Sequence, residues 1–418
     1  MIQVLSSAWA LLLGMGLLMV GNGMQGTLLG IRGEIENFST LEMSVVVSAY
    51  FAGFLGGSRM APDMIRRVGH VRVFAALASM ISAVMILYPT WVDPWVWAAA
   101  RVLIGFCFSA VYVTAESWLN NAASNETRGQ ALSLYMIIQT IGVVLAQALL
   151  LTADPSGFVL FVIPSILVSL AVTPILLSIS PTPAFDTTKP TRLRELMAVS
   201  PLGCVGMFLL GGVFAAQFGM SAVYGAAAGL SVPQISTFVS MFFIGAIITQ
   251  YPIGWMSDRM DRRLLIVIAA GIGALGCTGG AVLGGDFWFL LASAFLMGGM
   301  ANPLYSLLIA HTNDYLEPED MAAASGGLIF INGLGAILGP VITGWLMDVI
   351  GPWGFFLFAG VLFTALVFYG LYRSTRRPAP AVEDTASYVA ITPTASAVAV
   401  DAAIEYAQEF GQSEEEEA

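Results

Sequence analysis

The chain alternates between long apolar runs and short polar connections. The runs lie near 5–31, 42–62, 71–90, 95–117, 130–151, 157–178, 200–226, 234–255, 264–285, 287–310, 323–346 and 352–372. Each is close to the roughly 20 residues that a helix needs to cross the hydrocarbon of a bilayer. Lipid offers no hydrogen bonds, so a crossing segment must satisfy its own backbone. The pattern therefore predicts an all-α membrane protein of twelve spans. One longer interruption, 179–199, is charged and contains proline. It predicts a linker between an N-terminal six-helix half, 1–178, and a C-terminal six-helix half, 200–377. Glycines crowd several runs, as at Gly203, Gly206, Gly211 and Gly212, and at Gly326, Gly327, Gly333, Gly335 and Gly339. In a membrane bundle such residues let helix backbones approach closely.

Composition agrees. Apolar residues make up 57 % of the chain and charged residues 10 %, against about 25 % charged in soluble domains. The net charge of -11 is unevenly placed. Of 27 acidic residues, 9 lie beyond residue 377, which leaves 18 against 16 basic residues in the body. The acidity belongs to a tail, 378–418, whose Pro, Ala, Thr and Glu content predicts a flexible cytoplasmic segment that transport does not need. A nucleic-acid partner would want a basic footprint, which is absent. Cys107, Cys204 and Cys277 sit inside apolar runs and form neither a disulfide framework nor a metal spacing. No nucleophile–base pair or phosphate loop is present, so neither enzyme chemistry nor a cofactor is expected. The amino terminus is apolar without a basic lead and reads as the first span.

The basic residues orient the spans. With the N-terminus in the cytoplasm, cytoplasmic connections receive Arg59, Arg66, Arg67, Arg72, Arg128, Lys189, Arg192, Arg194, Arg259, Arg262, Arg263, Arg373, Arg376 and Arg377. The opposite side receives only Arg32, while Arg101 falls inside a span. The positive-inside rule then puts both termini in the cytoplasm, with an even number of spans. The halves also echo each other. An offset of 193 places Gly105 on Gly298, Tyr112 on Tyr305, Asn120 on Asn313 and Gly142 on Gly335; an offset of 195 places Asp63 on Asp258 and Arg67 on Arg262. Two such repeats are a transporter architecture.

Polar residues inside apolar runs need partners, which a neighbouring helix, water or a solute can supply. They are Asn22 and Gln25 in the first span, Tyr112 in the fourth and Gln139 and Gln147 in the fifth. In the second half they are Gln217, Tyr224, Gln250, Asn302, Tyr305 and Asn332. The set is uncharged, which suits a neutral, aromatic or zwitterionic solute. Glu116 is the carboxylate nearest a span centre. It reads either as a titratable coupling group or as the partner of Arg128. Arg101 reads either as a coupling residue or as a side chain snorkelling to the interface.

The connection Gly254-Trp-Met-Ser-Asp258-Arg259-Met-Asp261-Arg262-Arg263 resembles the Gly-x-x-x-Asp-Arg-x-x-Arg-Arg signature of the major facilitator superfamily. The resemblance implies that Gly254 permits a close helix crossing. Asp258, Arg259, Arg262 and Arg263 would form a cytoplasmic gate of breakable charged contacts, or serve as topological anchors. The corresponding stretch Gly57-Ser-Arg59-Met-Ala-Pro62-Asp63-Met-Ile-Arg66-Arg67-Val-Gly69 keeps Asp63 and Arg67 as gate candidates. There Arg59 replaces the leading glycine and Pro62 adds an expected break. Arg101-Val-Leu-Ile-Gly105 resembles the superfamily's fourth-helix motif, in which the arginine is linked to proton coupling. The Gly-x-x-x-Gly-Pro motif associated with exporters in the fifth span occurs instead in the eleventh, as Gly335 to Pro340, which leans toward uptake. Ala115-Glu116-Ser117-Trp118-Leu119-Asn120, with Arg128-Gly129, resembles a bacterial branch of YcaD-like carriers and RfnT-type riboflavin importers. Carriers of this kind bind solute between spans one, four, seven and ten. That favours Asn22, Gln25, Asn302 and Tyr305 and implies a monomeric inner-membrane importer, with riboflavin as the specific expectation. A drug or metabolite exporter and a non-transporting receptor are the alternatives.

Overall fold

The structure, a computed structural model, describes residues 2–122, 125–177, 193–376, 385 and 388–404, with side chains left out at 2–7, 121–129, 318–319 and 322. Among the described residues there are twelve helices long and apolar enough to cross a membrane, and no strand. They are Ala8–Ile35, Thr40–Val68, His70–Thr90, Pro94–Asn120, Gln130–Thr152, Val159–Leu177, Pro201–Ala227, Val232–Ser257, Arg262–Leu283, Phe287–Asn313, Ala323–Ile350 and Gly354–Ser374. The twelve-span reading therefore stands. Leu275 and Val282 are more than 70 % exposed, as expected of side chains that face lipid rather than water. Trp91, Trp95, Trp288 and Trp353 are also exposed, near span ends, where amphipathic rings suit the headgroup region.

Local sequence sets the helix ends. Ser39 and Glu42 form a reciprocal capping box at the start of the second span, which satisfies backbone donors that the first turn leaves free. That helix does not break at Pro62, contrary to the expectation above; it continues to Val68. A proline removes one backbone donor, and membrane helices tolerate this when neighbouring groups re-satisfy the freed carbonyl. The break falls about two turns later at Gly69, with φ 83° and ψ 161°, a conformation that is essentially glycine's alone. The seventh span is α-helical over Pro201–Ala215, widens to a π-turn at Ala216–Met220 and resumes as Ser221–Ala227.

The chain divides into two compact units. One comprises Met1–Thr187 with Phe218–Ser240, the other Thr188–Gln217 with Met241–Ala418. The seventh span thus changes unit inside its π-turn. Most of the expected linker lies outside the described residues; its end, Leu193–Val199, is a short helix with Leu196 buried. Within the first unit, a Cβ on Gly105 would strike the Tyr50 backbone, and one on Gly142 would lie 3.0 Å from the Gly16 carbonyl. Within the second unit, Gly298 meets the Phe242 backbone and Gly335 the Phe208 carbonyl in the same way. The two glycine pairs matched at offset 193 therefore occupy equivalent helix–helix seams, where only glycine fits.

The tail departs from the flexible-segment expectation. Residues 388–392 run along the second unit and 397–404 are helical, with Ile391, Ala399, Val400, Ala402 and Ile404 buried. The expectation weighted the acidic end, whereas 388–404 carries a single acid, Asp401, among Tyr, Val, Ile and Ala. The run of glutamates beyond it lies outside the described residues.

Candidate substrate path and gate

In the first unit the polar candidates of spans one and four meet. Asn22 Nδ2 donates to Tyr112 Oη at 3.0 Å, and that hydroxyl donates to Met19 Sδ at 3.2 Å. Arg101 is 5 % exposed and does not snorkel. Its Nη1 donates to Gln25 Oε1 at 3.1 Å, and its guanidinium lies 4.5 Å from the centre of the Tyr50 ring. A buried cation is costly unless compensated. Here an amide dipole and a ring quadrupole contribute, and the ring contact is worth about 2 kcal/mol when desolvated. Gln25 Nε2 and Arg101 Nε have no partner among the described residues. Glu116 is fully buried and accepts from Tyr135 Oη at 3.1 Å; the Arg128 side chain is not among those described. Gln147 joins the first and fifth spans, accepting from Thr27 Oγ1 and donating to the Gly23 carbonyl. Gln139 Nε2 is buried without a partner. Tyr224, also in this unit, lies against Phe238 with ring centres 5.5 Å apart.

In the second unit, Asn332 Nδ2 donates across to the Met207 carbonyl, and Asn302 Nδ2 bonds back to Gly298 within its own helix. Tyr305 is fully buried with Phe214 edge-on at 5.9 Å. Gln217 stands apart: it is 1 % exposed, and neither amide atom has a partner among the described residues. It lies in the π-turn Ala216–Met220, and such turns often mark functional positions.

The expected gate residues separate into two arrangements. Arg262 is buried and ion-paired to Asp314, each side chain 2 % exposed. Its Nε donates to Ser257 Oγ at 3.0 Å, and Asp258 lies 3.8 Å away. Arg263 Nη2 bonds Asp261 Oδ2 at 3.1 Å, and Asp261 caps the ninth span by accepting from the Arg263 backbone. Burial alone would raise the Asp261 carboxyl, but hydrogen bonds and charge from Arg263 outweigh it and hold the group below the usual carboxylate range. Arg259 stacks on Trp255 at 4.4 Å. Gly254 meets the tail: a Cβ there would lie 2.7 Å from the Tyr388 ring. In the first unit, Asp63 pairs with Arg66 at 2.5 Å on the exposed surface rather than with Arg67. Arg67 is exposed and in no ion pair among the described residues.

Sequence reasoning did not single out Asp314, Tyr50, Ser306 or Tyr388. Asp314 had a signal: an acid immediately after Asn313, at the end of a span whose connection falls on the side of the signature. Tyr50 is one of many aromatic residues in apolar runs and had none.

The model of the Major Facilitator Superfamily matches residues 11–226 and again 202–399. An uncharacterized transporter of this type from Enterobacter sp. (strain 638) is 26 % identical, over 81 % of this chain and 88 % of its own. The uncharacterized transporter YcaD of Escherichia coli O45:K1 (strain S88 / ExPEC) is likewise 26 % identical, over the same shares. Among solved structures, the nucleoside transporter NupG is similar at TM-score 0.72 and 16 % identity, covering 88 % of this chain and 99 % of that one. A bacterial homolog of the lysosomal transporter Spinster, solved inward-facing and unoccupied, gives 0.65 at 15 % identity, over 97 % and 96 %.

Proposed function

Given that the chain belongs to the major facilitator superfamily, and so is a secondary transporter moving a small solute across a membrane, we propose that it imports an uncharged heteroaromatic solute across a bacterial inner membrane, with riboflavin as the specific cargo. Both termini face the cytoplasm in this reading, because the basic connections gather on one side. The observation that carries it is Gln217. A buried amide with no hydrogen bond costs about 1–3 kcal/mol, and a solute edge offering both donor and acceptor recovers that cost. The edge of a flavin alternates carbonyl and N–H groups and suits one amide. Each unit carries further groups of the same kind: Asn22, Gln25 and Gln139 amides with Tyr112 and Tyr224 rings in the first, and the Asn302 amide with the Tyr305 ring in the second. Asn332 holds two helices together and contributes position rather than contact. Arg101 and Glu116, both buried in the first unit, are the two coupling candidates of this reading.

The experiment is uptake of labelled riboflavin by a flavin auxotroph expressing the chain. Uptake above vector, lowered about tenfold by Gln217→Leu at equal membrane abundance, is expected from losing about 1.4 kcal/mol of binding. Absence of uptake with the protein in the membrane contradicts the cargo. Unlabelled nucleosides serve as competitors, since NupG is named for that class; competition by them alone would move the cargo to nucleosides. Extrusion of preloaded dyes would assign an exporter, and binding without flux a receptor.

A further inference from the structure

We propose that Tyr388–Ile404 is a strap built into the chain: it occupies a peptide-binding site on the second unit, made by Gln250, Gly254, Asp258 and Ser306, and restrains the signature connection. The contacts are specific and two-sided. The Tyr388 backbone N–H donates to Asp258 Oδ1 at 2.8 Å. Gln250 Nε2 donates to Tyr388 Oη at 3.0 Å, and the ring lies over Gly254, where a Cβ would come within 2.7 Å of it. Three residues on, Ser306 Oγ accepts the Ile391 N–H at 2.9 Å and is paired with the Ile391 carbonyl at 3.1 Å. One serine thus holds both backbone groups of one strap residue, and its own side chain is 1 % exposed. Beyond this clamp the helical part brings Ala397 beside Gly326 of the eleventh span.

The site is built for a chain segment. Its recognition elements are a carboxylate for a backbone N–H, a hydroxyl for a paired N–H and C=O, and a side-chain-free patch for an aromatic ring. The docked strap takes up Asp258, which lies 3.8 Å from Arg262, and covers Gly254 and Gln250. A carrier must remake such contacts in each cycle, so a docked strap slows the cycle. Residues 375–387 join the strap to the twelfth span, so docking is intramolecular and is favoured by a high effective concentration. The earlier expectation that the tail is dispensable is replaced by a restraining role.

The placement can be locked covalently. A Cβ built on Gly326 lies 3.8 Å from Ala397 Cβ and meets nothing else within 4 Å, which matches the Cβ separation of a disulfide. The test uses the full-length Gly326→Cys/Ala397→Cys chain, with the buried native cysteines retained, reconstituted in liposomes. Three results are expected. Mild oxidation forms an intramolecular cross-link. Hydrogen exchange across 254–263 slows in the oxidised protein relative to the reduced one. Riboflavin uptake falls about fivefold on oxidation, within the ordinary range of coupling between sites, and returns with reductant. A second variant truncated after Arg377 should take up riboflavin faster than the full chain and show faster exchange at 254–263. Failure to cross-link overturns the docking. Equal exchange in oxidised and reduced protein overturns the restraint, and so does equal uptake. The uptake readout rests on the proposed cargo. If no form of the protein moves riboflavin while cross-linking and exchange behave as expected, the cargo reading falls and the strap stands.

Discussion

The connection after the second span and the one after the eighth have related sequences and different structures. After the eighth span the turn is drawn inward: Arg262 is buried against Asp314, Asp261 caps the next helix, and Asp258 accepts from the tail. After the second span the helix simply continues past Asp63, Arg66 and Arg67, which stay on the surface, and one glycine makes the turn. The repeat offsets explain the contrast. Arg67 corresponds to Arg262, but the position corresponding to Asp314 is Asn121. The first half therefore lacks the carboxylate that would draw its arginine inward. Duplicated sequence has kept the helix seams in both halves and the charged lock in one.

The largest expected effect tests that asymmetry directly. Arg262→Ala leaves Asp314 buried without its cation and should cost about 3–5 kcal/mol, seen as a lower unfolding temperature in detergent. Arg67→Ala, at the related exposed position, should stay within about 0.5 kcal/mol; equal losses would break the comparison. Next come the seams, where the halves should behave alike. Gly105→Ala and Gly298→Ala each force a methyl onto a neighbouring backbone and should cost about 1–3 kcal/mol by the same assay, whereas Gly271→Ala, with open space around it, should be neutral or mildly stabilising. Gly69→Ala tests the single-glycine turn. A non-glycine residue in that conformation costs about 1–3 kcal/mol, and the resulting strain should appear as faster hydrogen exchange around Val68. The smallest effect is at Asp63→Asn. Its pair with Arg66 is half exposed, and surface pairs contribute about 0–1 kcal/mol, so unfolding should barely move. A large shift there would mean that the first-half connection is locked by contacts other than those described.

The spans were legible because lipid imposes a simple rule: a helix long enough to cross, with few charges, is written directly in composition. The glycine pairs at offset 193 were legible for a related reason, since close approach leaves no room for a side chain. What the sequence did not reveal was partner choice. Asn332 and Gln147 looked like solute ligands, yet both spend hydrogen bonds joining helices, and a one-dimensional pattern cannot distinguish a polar group facing a neighbour from one facing a path. Arg101 lies close enough to a span end to snorkel, and its burial depends on Gln25 and Tyr50, residues 76 and 51 positions away. Asp63 chose Arg66 because the helix runs through Pro62, which places residues three apart on one face. The tail was read by its charge, and the apolar stretch before that charge is what docks.

The measurement that tests the central claim most directly is riboflavin counterflow into liposomes reconstituted with the full-length chain and preloaded with unlabelled riboflavin. The account predicts transient accumulation of label above protein-free liposomes, reduced in Gln217→Leu. Label that never exceeds the protein-free control, with folded protein verified in the same vesicles, would contradict it.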